Sequence, residues 1–202
     1  DHRIFIVAAD CTGHGIPAAL ISTIGYGILD QAVNILRIED PAEALVNLYS
    51  GIHRFLRKDD RESGISDDMT IVLCKYDPVS MILHYSGTGN AIFHVADNRI
   101  SENLSGGLSA GQLRNGSYGF DTKILQLKTN DILYICSDGF ADQFGGDNHR
   151  RYGWRRLRDY LFEISRYPIA EQGDMLYEEL EQWKDEKDED QTDDITIIGI
   201  RM

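Results

Sequence analysis

Hydrophobic and polar positions along the chain change period several times, and each change predicts an element. Residues 3–9 ("RIFIVAA") are a short apolar run with β-branched members, which predicts a strand delivering Asp10 at its end. Pro17 and the apolar "AALISTI" that follows open a helix predicted over 16–37. Asp40-Pro41 then supplies an N-cap and a first-turn proline for a second helix ending near Leu56. A charged loop, "RKDDRESGISDD", precedes "MTIVLCKYD" and "MILHYSGTG", which read as antiparallel strands joined by a turn at Asp77-Pro78-Val79-Ser80. "AIFHVA" is a third strand, and the turn around Asp97-Asn98 leads into "SENLSGGLSAGQLRNGS", whose Gly/Ser content predicts a loop. "YGFDTKILQLK" and "DILYICSDGF" are predicted as a second pair of strands, the latter ending on Asp138. Amphipathic helices are predicted near 152–166 and 169–184, then an acidic run and a closing strand, "DITIIGIRM".

There is no internal repeat and no linker, so residues 1–202 are expected to form one domain. Mostly antiparallel strands with helices inserted in pairs predict an α+β fold, not a doubly wound sheet. A chain of this length buries roughly 70% of the surface its unfolded form exposes, and so needs no staples. Cys11, Cys74 and Cys136 are odd in number, widely spaced and set in apolar runs, which indicates neither a disulfide framework nor a zinc site and fits a cytoplasmic compartment. The net charge of −13 argues against nucleic acid and against direct contact with an anionic membrane. No apolar run approaches the roughly 20 residues of a membrane span. The chain opens inside a strand without an initiator methionine, and is expected to be an N-terminally truncated piece of a longer signalling protein, one that a missing N-terminal region could anchor to a membrane.

Three acidic positions stand at the borders of apolar strands: Asp10, Asp138 and the pair Asp193-Asp194. A lone aspartate at such a place is most often a turn or cap residue. Here the neighbours differ, because the glycines of "DCTGHG" follow Asp10 within a few residues and that of "SDG" follows Asp138 directly, so the backbone can turn tightly and approach a ligand. Carboxylates delivered to one place repel each other and take up protons unless a cation neutralises them. Hard divalent ions such as magnesium or manganese accept oxygen ligands of this kind. A nucleotide-binding reading of residues 4–20 is weaker, since Gly13-x-Gly15 lacks a third glycine, no Walker lysine is present and no βαβ unit follows.

The ordered segments "ADCTGHGIPAAL", "SGISDDMTIVLCKYD", "LHYSGTGNAIF", "DILYICSDGFADQFGG" and "TDDITIIGI" together resemble the metal-dependent protein phosphatase 2C superfamily, within it the bacterial branch of the sporulation stage II E-type and sigma-factor-regulator serine phosphatases. The resemblance spans nearly the whole chain. It implies a β-sandwich of mainly antiparallel strands flanked by paired helices, in α-β-β-α layers. It also implies two manganese or magnesium ions and a bridging water that attacks phosphoserine or phosphothreonine. Position by position, Asp10 would bridge both ions and the backbone carbonyl of Cys11 would complete one coordination sphere. Asp138 and Asp193 would hold the other ion, with Asp194 a second choice. Gly13, His14, Gly15 and Gly139 would shape the site. The substrate implied is a phosphorylated bacterial regulatory protein, such as an anti-sigma-factor antagonist. An upstream sensor domain belongs to the parent protein in this branch, and a homodimer is compatible with it.

Other residues carry lesser expectations. His14 is read as shaping the turn, with proton transfer to the leaving oxygen as the alternative role. Cys11 is expected to be a small apolar filler more than a redox target. "GTGN" (87–90) precedes a strand and is read as a tight turn, and Asp67 and Asp68 as a loop near the site without ligand roles. The remaining histidines, His2, His53, His84, His94 and His149, show no metal-ligand spacing. Gly25 and Gly27 within one helical turn suggest a movable element. Family members normally carry a further strand pair ahead of the first metal aspartate. Its absence keeps a degenerate, partner-binding phosphatase fold among the readings.

Overall fold

A computed structural model describes residues 3–11, 15–55, 69–89, 91–104, 113–114, 117–185 and 189–202. The chain divides into two compact units, one made of residues 1–90 and 104–127, the other of residues 91–103 and 128–202.

In the first unit, β1 (Ile4–Cys11) is followed by α1 (Ile16–Asp30), a π-helical turn (Gln31–Ile35) and α2 (Pro41–Phe55). The strands β2 (Met69–Asp77) and β3 (Ile82–Thr88) come next; the short pair β6 (Leu113–Arg114) and β7 (Ser117–Tyr118), and β8 (Lys123–Gln126), belong to the same unit. Four of these strands form an antiparallel sheet in the order β1-β2-β3-β8. The register sets Asp10 opposite Thr70 and Cys11 opposite Met69, so the acidic end of β1 meets the beginning of β2.

Spacing explains the packing of α2. Leu45, Leu48, Tyr49 and Ile52 recur on one helix face and are buried with Ile21 of α1 against Met69, Ile71 and Leu73 of β2. Each large aliphatic side chain so buried contributes about 1.5–3 kcal/mol. As the sequence predicts, α2 begins at Asp40-Pro41, where Asp40 Oδ1 accepts the Glu43 N–H at 3.0 Å. The predicted turn between β2 and β3 is also present, with Asp77 accepting the Val79 N–H and the Ser80 hydroxyl, both at 2.9 Å. Gly51 lets the two helices approach, since a Cβ there would stand 2.7 Å from Ile28 Cδ1.

The two glycines of α1 differ. A Cβ at Gly25 would press on Met69 Cε at 3.2 Å, whereas one at Gly27 meets nothing within 4 Å. Gly27→Ala is therefore expected to raise unfolding stability by about 1 kcal/mol, read from the midpoint of a urea transition.

The second unit contains β4 (Ala91–Ala96), β5 (Arg99–Leu104), β9 (Ile132–Cys136), α3 (Gly139–Asp142), the hairpin β10 (Phe144–Gly145) and β11 (Arg150–Arg151), α4 (Trp154–Ile164), α5 (Ile169–Asp185) and β12 (Ile197–Arg201). Its sheet has the order β12-β9-β4-β5. Leu157, Leu161 and Ile164 of α4 and Leu180 and Trp183 of α5 share a core with Phe93, Ile132 and Tyr134. Tyr134 reaches out of that core by donating to Gln172 Oε1 at 2.7 Å, and burial pushes its phenol up to about 12. His94 Nε2 and Asp131 Oδ2 form a buried pair at 2.8 Å, a structural role for that histidine.

The structure corrects four expectations. Within the segment predicted as a loop, Ser101–Leu104 belong to β5, because Asp97 and Asn98, with φ of 48° and 57°, turn the chain tightly back against β4, and Leu113–Arg114 and Ser117 belong to the short pair β6-β7. The strands β8 and β9 are not partners: β8 pairs with β3 and β9 with β4 and β12, so adjacent segments divide between two sheets. The predicted helix over 16–37 ends in a π-helical turn, where the Leu36 N–H reaches Gln31 O at 2.9 Å. Finally, Ile16–Ile35 is a 20-residue helical stretch of mean hydropathy 1.3, long and apolar enough by length and composition alone to cross a membrane. Small and polar residues interrupt any unbroken apolar run there while leaving the average high.

Candidate metal centre

The second unit carries two of the acidic positions. All five residues of β9 are buried, and the chain leaves the sheet through Ser137 and the half-buried Asp138. Asp138 begins α3, its carbonyl accepting the Asp142 N–H at 2.9 Å. Asp193 and Asp194 lie in the approach to β12 and are exposed.

Ser137 ties the two segments together. Its N–H donates to Thr196 O and its hydroxyl oxygen accepts the Thr196 N–H, each at 2.9 Å. Gln191 Nε2 donates to the carbonyl of Asp193 at 2.8 Å, and the Asp194 N–H donates to Asp193 Oδ1 at 2.8 Å. Gly139 permits the close approach, since a Cβ there would lie 2.3 Å from the carbonyl oxygen of Asp194. As a result, carboxylate oxygens of Asp138 and Asp193 come within 4.8 Å of each other.

Burial, assisted by the charges of Asp193 and Asp142, holds the Asp138 carboxyl above the ordinary aspartate range; its own backbone N–H and Arg151 pull the other way. Two hard oxygen donors at this spacing, one half-buried and its ionised form disfavoured, suit a divalent cation.

In the first unit, Asp10 is half-buried at the penultimate position of β1. Next to it the Cys11 thiol lies 3.1 Å from the Ser22 hydroxyl of α1, joining strand end to helix. Burial raises that thiol's pKa, with Ser22 opposing and Asp10 adding to the shift, which fits a filler more than a reactive thiolate. Gly15 has φ of +82° before α1, a conformation that disfavours any side chain. Gly13 and His14 lie outside the described residues, as do Asp67, Asp68, His2 and Asn90 of "GTGN". Of "GTGN", Gly87 and Thr88 still pair within β3, and the chain bends only at Gly89, with φ of +79°.

Three residues at the centre are not among those the sequence marks. Ser137 is the hinge between Asp138 and the strand that follows Asp193. Gln143 is buried, and its Nε2 donates to Asp190 O at 3.0 Å, holding the chain ahead of Asp193. Arg151 pairs with Asp142 at 3.0 Å beside the centre. The serine of "SDG" is a visible signal; the other two act across 47 and nine positions, with no local pattern.

Comparison with known proteins bears on this arrangement. Among solved structures, the chain is similar to the SiaA-PP2C domain of Pseudomonas aeruginosa, with a TM-score of 0.82 and 24% identity over 99% of this chain and 80% of that one. It is also similar to the PP2C phosphatase domain with a fragment of the regulatory domain of the cell fate determinant SpoIIE from Bacillus subtilis, with a TM-score of 0.71 and 17% identity over 99% of this chain and 55% of that one. A third is the catalytic domain of the serine threonine protein phosphatase PstP in complex with two manganese ions, with a TM-score of 0.63 and 13% identity over 96% of this chain and 86% of that one. At such identities the likeness is one of fold: a mixed α+β arrangement of antiparallel sheets and helices of the PP2C phosphatase type. No curated protein sequence matches significantly. The family pattern of stage II sporulation protein E (SpoIIE) matches residues 1–202, and the chain belongs to that family.

Proposed function

We propose that this chain is a metal-dependent protein serine/threonine phosphatase that hydrolyses phosphoserine or phosphothreonine on a bacterial regulatory protein, such as an anti-sigma-factor antagonist. The observation that carries the reading is the approach of Asp138 and Asp193 to within 4.8 Å, behind Ser137, in a chain of this family. The PstP structure holds manganese, which supports a divalent ion of that kind here.

In this reading Asp10 and the carbonyl of Cys11 are the ligands from the first unit, and Asp138 and Asp193 those from the second, with Asp194 the second choice. These residues would hold two manganese or magnesium ions. When bound, such ions supply Lewis acidity, which brings the pKa of a water toward neutrality and offsets the charge of the phosphate. The chain's own residues do the positioning. Ser137 fixes the spacing of the two carboxylates, Gly139 leaves room for it, and Gly15 turns the chain after Asp10. Gly13 and His14 are proposed to shape the site. The substrate is met in the cytoplasm, and an upstream sensor domain and homodimerisation are read as the regulatory context.

Manganese titration tests the reading in two ways. Binding to the native state alone raises the melting temperature, by the equivalent of about 2.7 kcal/mol at a hundredfold excess over Kd. Phosphate release from phosphoserine peptides is expected only with manganese or magnesium present. A melting temperature indifferent to both ions would remove the metal assignment, and nucleotide is expected to leave it unchanged.

A further inference from the structure

The second unit carries a charge feature that the metal centre does not explain. Arg150, Arg151, Arg155, Arg156 and Arg158 fall within nine positions of a chain whose net charge is −13. Four of them, Arg150, Arg151, Arg155 and Arg156, line a hollow of about 550 Å³ with Tyr152 and Asp159 at the start of α4. Two are already held in place. The Arg156 guanidinium lies 4.2 Å from the centre of the Trp183 ring and 5.3 Å from that of Tyr152. Arg151 lies 5.7 Å from the centre of the Phe144 ring and pairs with Asp142 at 3.0 Å. Arg158 pairs with its neighbour Asp159 at 2.7 Å. Arg150 and Arg155 are exposed, and neither has a carboxylate within ion-pair distance among the described residues.

Aromatic contacts restrain the Arg151 and Arg156 guanidinium groups before a ligand arrives, so these two lose less side-chain entropy on binding. Planar guanidinium groups match carboxylates in a bidentate manner. The hollow also adjoins the centre directly: Arg151 is paired with Asp142, at the end of the short helix that Asp138 begins.

We propose that this arginine hollow docks an acidic segment of the protein substrate, a short run of Asp and Glu side chains flanking the phosphorylated residue. The proposal rests on the phosphatase reading for the identity of that protein. A short acidic peptide is favoured over a membrane or duplex nucleic acid, because those present charge over an area wider than the hollow, and the surrounding chain is strongly acidic.

The test uses fluorescein-labelled peptides with a central serine flanked by Asp and Glu, or by Asn and Gln, followed by anisotropy on the whole chain. The acidic peptide is expected to bind about tenfold more tightly than the neutral one, the size of a few exposed ion pairs, and to lose that advantage as ionic strength rises. The double variant Arg150→Glu/Arg155→Glu is expected to erase the difference; both side chains are exposed, and Arg150→Gln/Arg155→Gln serves if charge reversal disturbs folding. Equal binding of the two peptides to the unmodified chain overturns the proposal, as does an acidic preference that survives both variants. Capture of phosphatidylserine vesicles without any peptide preference also overturns it, in favour of a lipid surface.

Phosphorylated forms of the same peptides, assayed with manganese, separate this proposal from the reading it rests on. A kcat/KM ratio above one for acidic over neutral flanks, falling to one in the variants, supports both. Selective binding with no hydrolysis of either phosphopeptide removes the phosphatase reading and the substrate assignment, and leaves the hollow as a site for acidic peptides.

Discussion

Asp138→Asn is expected to abolish manganese-dependent phosphate release while leaving the fold intact. The amide keeps the size of the side chain but removes the negative charge that a divalent ion requires. Outer-shell changes around metal sites already lower affinity or activity by about 10–100-fold. Loss of a ligand should exceed the upper end of that range in kcat/KM. Stability should move differently. Burial and the nearby Asp193 and Asp142 hold the Asp138 carboxyl above its ordinary range, so the folded, metal-free chain disfavours its ionised form. For a group whose folded pKa is raised, the stability contribution is fully present below the unfolded value and is lost as pH rises through the folded one. The metal-free chain should therefore lose stability as pH climbs above the ordinary aspartate range, and Asp138→Asn should remove that component. Urea midpoints across pH, with and without manganese, measure both effects. An Asn variant that keeps the manganese-induced rise in melting temperature and full activity would take Asp138 out of the centre.

Gly139→Ala is expected to damage the same centre through the backbone. The added methyl would stand 2.3 Å from the Asp194 carbonyl oxygen and 3.0 Å from its carbon, distances at which the main chain itself must move. Overpacking of this kind costs about 1–3 kcal/mol. The movement falls on the residue next to Asp193 and works against the Ser137–Thr196 bonds, so the spacing of the two carboxylates opens with it. We expect a lower melting temperature without metal and a manganese affinity reduced by about 10–100-fold, similar to a lost outer-shell contact. Gly27→Ala makes a useful contrast, since it adds the same methyl in open space and should stabilise. If Gly139→Ala melts and binds manganese like the unmodified chain, the close approach at this point does not set the geometry.

Much of the architecture is legible in the amino-acid sequence. The helices α2, α4 and α5 have one apolar face each and clear starts, and Asp40 caps where its position beside Pro41 predicts. The hairpin of β2 and β3 follows from alternation and from the Asp77 turn. Less visible is β5, whose sequence "RISENL" has little apolar content because it lies at a sheet edge. The separation of β8 from β9 is not visible either. The two segments are close in sequence and equally strand-like, and only their partners distinguish them.

The candidate centre divides in the same way. A carboxylate at the edge of an apolar run marks Asp10, Asp138 and the pair Asp193-Asp194, with glycine three residues after Asp10 and directly after Asp138. That much the chain determines by itself, because strand period, turn chemistry and ligand preference are local properties. The meeting of Asp138 with Asp193 is not local. It depends on β9 pairing with β12, on Ser137 bonding to Thr196 and on the Gln143 side chain reaching Asp190. Those contacts span dozens of residues and leave no periodic trace, so only the tertiary structure decides them.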